Sequence, residues 1–294
     1  MDINEFCGLF KQLIGVQVET CLEITDGCSG ALKYKVSFNG QAWMAKVIKI
    51  SPDRIQWYQG LAEIREPGLA IPDIYTMPDT SKVLILAPWV SGVRLDSVLG
   101  FSDPSVSAKY GRLAALLLKR LHHKSVMDSG YPDRLKARVD RLCSVVMQYE
   151  LSFPARDVCM DFVKTYVKYI HPMRIAYLHR DIRPENFIVC ENTISLIDFD
   201  NGSVGESEAD FVYLTTMGES KHRAFAKSLI LNYLDGCVTN EFWEKNLFYS
   251  TLQVMEYAVW KWEVKQKQML LQAQNLLLQY DCFQSIEPLW WWEG

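Results

Sequence analysis

The sequence predicts an α+β protein of two lobes, a small antiparallel sheet carrying one helix and then a larger, mainly helical region. Three observations carry that prediction. Residues 32–48 alternate apolar and polar positions around Asn39-Gly40, a two-residue turn whose positive φ suits a hairpin. From Ser105 onward apolar side chains recur at helical spacing, beginning with Leu113, Leu116, Leu117 and Leu121. One β-rich island, Phe187-Ile188-Val189 and Ile194-Ser195-Leu196-Ile197, interrupts the helices.

Taken in order, Leu32 to Phe38 and Ala42 to Ile48 are the hairpin strands. Ser51-Pro52 reads as cap and first residue of a helix that runs to near Pro67-Gly68, since proline fits a first turn that needs no N–H. Val83 to Leu86 is a strand, with Ile74-Tyr75-Thr76-Met77 as its partner. Helices are expected over 105–123, 133–149 and 155–170. They return over 218–280, with a long one from Asn240 to about Gln266. The lobes divide at 1–88 and 89–294.

The 294 residues carry 31 Lys+Arg and 35 Asp+Glu, a formal net charge of −4, with 49% apolar and 22% charged residues. That balance is average for a globular chain and disfavours disorder. It also lacks the basic excess needed to grip nucleic acid. The eight cysteines form no C-x-x-C pair, so they read as small core residues, and a structural zinc site is not expected. The start MDINEFCGLF has no basic n-region, and no apolar run approaches the ~20 residues that span a bilayer. A cytoplasmic protein without membrane association is expected.

The chemistry concentrates in Tyr177-Leu178-His179-Arg180-Asp181-Ile182-Arg183-Pro184-Glu185-Asn186 and in Leu196-Ile197-Asp198-Phe199-Asp200. His-Arg-Asp, an asparagine five residues after the aspartate, and an aspartate ending a short apolar strand match the catalytic and metal-binding loops of kinases. Phosphoryl transfer explains these residue types. The acceptor hydroxyl must lie in line with the γ-phosphate, and a carboxylate must stand where it takes the hydroxyl proton. Asp181 is the expected base. Asn186 and Asp198 offer hard oxygens to Mg²⁺, which keeps waters and phosphate oxygens as its other ligands. His179 is expected to brace the loop rather than carry a proton. Upstream, Met44-Ala45-Lys46-Val47-Ile48 is close to V-A-I-K, whose lysine pairs the phosphates. Glu63, on the predicted helix, is the expected partner of Lys46, with Glu66 as the alternative. Gly27, Ser29 and Gly30, in the turn 27–31, would present backbone N–H groups to the phosphates.

These motifs, over most of the chain, resemble the aminoglycoside phosphotransferase and choline kinase-like family, whose fold is the bilobal protein kinase-like one. Asp198-Phe199-Asp200 stands where protein kinases have D-F-G. Gly205-Glu206-Ser207-Glu208-Ala209-Asp210-Phe211 is similar to the family's G-D-P-x-x-D-L-A, and no A-P-E follows. Gly111 to His122 is similar to the family helix ending in Leu-His, and Ala87-Pro88-Trp89-Val90-Ser91-Gly92 to its hinge. The resemblance implies adenine recognition by the Pro88 carbonyl and the Val90 N–H; proline retains the carbonyl this register asks of it. His179-Arg180-Asp181 departs from the family's more frequent H-G-D. Arg183 stands where protein kinases place a lysine near the γ-phosphate, a position from which it would stabilise transferred charge; a surface arginine is the alternative. Asp210 reads as a brace for the metal loop.

What the resemblance implies is an ATP- and Mg²⁺-dependent kinase, with GTP left open, acting on a hydroxyl of a small cationic acceptor such as an aminoglycoside-like antibiotic. A protein Ser/Thr kinase, a choline- or homoserine-type kinase and a non-catalytic relative are the alternatives. Residues 201–294 hold 12 acidic and 7 basic residues, and Asp200, Glu206, Glu208, Glu256 and Glu263 are candidates for an acidic acceptor wall. Trp260, Trp262 and Trp290-Trp291-Trp292 read as core packing of the last helices. The three tail indoles would anchor the tail or meet a second copy, so monomer and homodimer both stay open.

Overall fold

A helix precedes the first strand. Asp2 and Glu5 exchange side-chain-to-backbone hydrogen bonds of 3.0 and 2.9 Å, a capping box that opens α1 (Ile3–Ile14). Gly15, at φ 78°, closes it in left-handed backbone. The expectation of strands around a single helix missed this element, although Asp2, Glu5 and the apolar pair Phe6 and Phe10 are its signal. The computed structural model describes residues 2–24, 32–77, 82–100, 103–170, 174–217, 222–263 and 270–292. They fall into two units, Met1–Val93 with Ile188–Phe199, and Arg94–Phe187 with Asp200–Gly294.

In the first unit α1 leads to β1 (Thr20–Ile24), β2 (Lys33–Phe38), β3 (Gln41–Lys49), α2 (Pro52–Leu61), β4 (Asp73–Thr76) and β5 (Lys82–Pro88). The strands form one antiparallel sheet, ordered β1-β2-β3-β5-β4. Asn39 and Gly40 adopt φ of 50° and 71°, and this turn sets Phe38 opposite Gln41 and Lys33 opposite Lys46. Side chains then alternate between faces. Tyr34, Val36, Phe38, Ala45, Leu84 and Leu86 pack with Phe6 and Phe10 of α1, and Phe6 stacks on Tyr34 at 4.2 Å between ring centres. Met44, Lys46 and Ala87 turn away from that core and line a cavity. Ser51 and Pro52 start α2 as expected, but α2 stops at Leu61 rather than near Pro67. Leu61 and Ile64 are both buried, and the Ile64 N–H bonds the Leu61 carbonyl at 2.8 Å. A tight turn thus replaces the last helical turns in order to bury Ile64.

The chain continues through β6 (Val93–Arg94), α3 (Leu95–Leu99), α4 (Pro104–His123), β7 (Ser125–Met127), α5 (Tyr131–Gln148), α6 (Arg156–Tyr166), β8 (Arg174–Leu178), β9 (Phe187–Cys190) and β10 (Thr193–Leu196). It ends with β11 (Ser203–Gly205), α7 (Arg223–Tyr233), α8 (Asn240–Glu263) and α9 (Leu270–Gln279). The β9–β10 hairpin returns to the first unit, whereas a boundary at residue 89 would leave it among the helices. Leu196 donates to the Gly68 carbonyl at 2.7 Å and accepts from the Ala70 N–H at 2.9 Å. These backbone bonds sew the hairpin to the chain leading into β4.

In the second unit β11, β8 and β7 form a small antiparallel sheet beside the helices. α4 buries Ala114, Leu117, Leu118 and Leu121, while Leu116 is exposed, so its inward face is rotated from the one its leucines suggested. Gly111 explains the rotation. A Cβ there would come within 2.5 Å of the Phe225 carbonyl oxygen, and only glycine lets α4 lie this close to α7. α8 is buried nearly all round, from Phe242 to Ala258. Trp290 and Trp291 are buried, with Trp291 meeting Trp243 edge-on at 4.9 Å. Trp260, Trp262 and Trp292 are exposed and are not core residues. Among the described residues, no helix is long and apolar enough to cross a membrane.

Candidate active site

Lys46 is buried in the sheet-bearing unit, 1% exposed. Strand alternation sends it away from α1, and its ammonium lies 3.6 Å from the Asp198 carboxylate. Asp198 stands just after β10 at φ 64°, a strained backbone for a residue with a Cβ and a type of strain that gathers at functional sites. Both line a cavity of about 270 Å³. Pro88, Trp89, Val90 and Gly92 form one side of it, and Ala70, Ala87, Ile188 and Ile197 supply apolar surface. Gly92 has φ 142°, and a Cβ there would collide with the Val189 backbone oxygen. That glycine lets the 88–92 segment run against β9 with no side chain between them.

Two other expected contributors fare differently. Gly27, Ser29 and Gly30 lie outside the described residues. Glu63 and Glu66 are exposed in the segment after α2, not on a helix face. One contributor was missed. Lys33 lines the cavity directly opposite Lys46 on the neighbouring strand, and the signal for it was present. A two-residue hairpin that pairs Phe38 with Gln41 necessarily pairs Lys33 with Lys46.

In the helical unit, β8 delivers His179, Arg180 and Asp181. Asp181 is 4% exposed. The Asn186 amide nitrogen donates to its carbonyl and to its Oδ2, both at 2.8 Å. A short turn starting at Pro184, closed by the Asn186 N–H on the Arg183 carbonyl at 2.9 Å, brings the asparagine back onto the aspartate. Arg183 Nε lies 3.1 Å from Asp181 Oδ1. Asp210 braces this loop from behind, rather than the metal loop as expected. Its Oδ1 accepts the Arg180 N–H at 2.6 Å. Its Oδ2 accepts the His179 N–H at 2.8 Å and meets His122 Nε2 at 3.0 Å. Burial alone would raise the Asp210 carboxyl, but the hydrogen bonds and charge of His122 and His179 hold it below the usual carboxylate range. Arg180, at φ 65°, takes the backbone turn that aims both N–H groups at one carboxylate.

Glu206, Glu208 and Glu256, proposed for an acceptor wall, are engaged within this unit. Glu206 is buried, accepts from Tyr249 at 2.5 Å and pairs with Lys245 at 3.1 Å. Glu208 lies 3.9 Å from the same lysine, and burial, then the neighbouring Glu206, raises its carboxyl. Glu256 accepts from Arg138 Nε at 2.6 Å. Asp200 is half-buried and Glu263 exposed. Sequence distances of up to 118 residues separate these acids from their cations, which is why the pairing was not legible.

The model of the phosphotransferase enzyme family matches residues 21–240. No curated protein matches the chain. Among solved structures, the chain is similar to spectinomycin phosphotransferase in complex with ADP and spectinomycin, at 14% identity and a TM-score of 0.61, covering 98% of this chain and 96% of that one. It is similar to the gentamicin complex of APH(2″)-IIa at 15% identity and a TM-score of 0.61, covering 95% and 96%. A thermostable mutant of the aminoglycoside phosphotransferase APH(4)-Ia, in ternary complex with AMP-PNP and hygromycin B, aligns at 10% identity and a TM-score of 0.65, covering 89% and 92%. The α+β fold is the protein kinase-like fold of these enzymes.

Proposed function

The chain belongs to the phosphotransferase enzyme family and acts as a small-molecule kinase, and from that premise we propose that it moves the γ-phosphoryl group of ATP to a hydroxyl of a small, amine-bearing acceptor. The observation that carries the assignment is the Lys46–Asp198 pair, 3.6 Å apart on the wall of the cavity bounded by Pro88 and Val90. In this reading residues 1–88 form the nucleotide-binding lobe, joined by the β9–β10 hairpin, and the rest of 89–294 the catalytic and acceptor-binding lobe. The Pro88 carbonyl and Val90 N–H take the adenine edge, and Lys46 takes the phosphates.

Asp181 is the base. Asn186 fixes its Oδ2, so the acceptor proton goes to Oδ1, and Arg183 beside it faces the charge of the transferred phosphoryl. Asn186 and Asp198 fit Mg²⁺ in donor chemistry. The two Nδ2 bonds of Asn186 to Asp181 leave its amide oxygen as a hard ligand, and Asp198 supplies a carboxylate. Among the described residues no group of three or more His, Cys, Asp or Glu could hold a metal ion, so water and phosphate oxygens would complete the shell. When bound, the ion neutralises charge on the phosphate oxygens. An amine-bearing acceptor is favoured by the spectinomycin, gentamicin and hygromycin B held by the structural neighbours. Phosphorylation of such an antibiotic would confer resistance.

The test is an ATP-consumption screen over aminoglycosides, choline, homoserine, other amino-alcohols and a generic protein, each with Mg²⁺. Asp181→Ala should cut turnover of the acceptor found by ~10²–10⁴ and leave ATP affinity within a few-fold. Unchanged turnover in that variant removes Asp181 as base, and phosphate incorporated only into protein removes the small-molecule acceptor.

A further inference from the structure

Two of the groups beside Asp181 differ in firmness. Asn186 is 5% exposed and is locked by its second bond, to the Asp181 carbonyl. The Arg183 side chain is 40% exposed, and an arginine at such a site ordinarily explores many rotamers. What lies across its guanidinium is Tyr213, whose ring centre is 5.4 Å from the guanidinium carbon, within reach of a cation–π contact. Tyr213 opens a π-helical turn, Tyr213–Met217, a rare backbone form that recurs at functional sites. A single residue, Val212, separates it from the Ser207–Phe211 turn that carries Asp210. One stretch of backbone therefore supports the catalytic loop from behind and places a ring beside its arginine. Burial, then the charge of Asp181, pushes the Tyr213 phenol up, so the ring stays neutral.

We propose that Tyr213 is a positioning residue, whose ring holds the Arg183 guanidinium beside Asp181 Oδ1 so that base and cation flank the reacting hydroxyl together. The inference rests on Asp181 being the base. It assigns a duty to a residue that lies outside every motif of the catalytic and metal loops.

Steady-state ATP hydrolysis, with water standing in for the acceptor, separates the outcomes. Tyr213→Leu should lower kcat roughly fivefold to thirtyfold with KM for ATP within twofold. Tyr213→Phe, which keeps the ring face and loses the hydroxyl, should restore kcat. In an Arg183→Gln background Tyr213→Leu should cost less than twofold more, because the partner it acts through is gone. Thermal unfolding of each variant checks the fold. An unaffected Tyr213→Leu, a Tyr213→Phe as damaged as Tyr213→Leu, or full additivity with Arg183→Gln would overturn the proposal. Asp181→Ala, assayed alongside, tells the two failures apart. If it hydrolyses ATP normally the base assignment falls, whereas if it is inactive and Tyr213→Leu is normal only the role of Tyr213 falls.

Discussion

Asp198 and Asp210 lie twelve residues apart in sequence and are held in opposite ways. Asp198, in the sheet-bearing unit, sits on left-handed backbone with its side chain 37% exposed and the Lys46 ammonium 3.6 Å away. Asp210, in the helical unit, is 1% exposed and has three nitrogens within 3.0 Å. Asp198, proposed to meet a ligand, keeps an open side and a strained backbone. An acid that must hold a loop is saturated with donors. The difference teaches that exposure and backbone strain, not position in a motif, set these two acids apart.

That contrast can be broken by substitution. Asp210→Asn should cost about 3–5 kcal/mol of stability, because it removes one member of a buried charged network, whereas Asp198→Asn, at a side chain open to one side, should cost less while stopping turnover. Urea denaturation of the two variants measures both, and similar costs would erase the distinction. Acid sharpens it. The Asp210 carboxyl is held below its unfolded value near 3.9, so on acidification the unfolded chain takes up the proton first. Its contribution is whole above about pH 4 and is lost as pH falls through the folded value. Asp210→Asn should therefore lose stability less steeply below pH 4 than the parent, and equal slopes would show that the carboxyl is not perturbed. The smallest effect belongs to Lys33→Met, which should raise KM for ATP roughly threefold to tenfold. It should also stabilise the nucleotide-free protein by a few tenths of a kcal/mol, since like charges directly opposite on neighbouring strands repel.

Local chemistry was legible and long-range chemistry was not. The Asn39-Gly40 hairpin, the Ser51-Pro52 helix start and the order of Asp181, Asn186 and Asp198 are all written within a few residues of where they act. The end of α2 depended on burying Ile64, a tertiary demand that the helical pattern does not contain. The face of α4 depended on Gly111 meeting Phe225, and the neutralisation of Glu256 depended on Arg138. Tyr213 carried no signal, because nothing in a tyrosine announces that an arginine thirty residues earlier will rest on its ring. α1 is the instructive exception. Its capping box is local, written in Asp2 and Glu5, and yet no helix was expected there.

The β9–β10 hairpin sets an order of events during synthesis. Until about residue 199 has left the ribosome, the N-terminal sheet lacks the segment that bonds Gly68 and Ala70 and the carboxylate that meets Lys46. A fragment cut at residue 93 would carry every strand of that sheet and yet expose Lys46 on an unfinished wall. Chimaeras that exchange this unit between relatives must therefore transplant two separate stretches of sequence, or they will inherit a lysine without its acid.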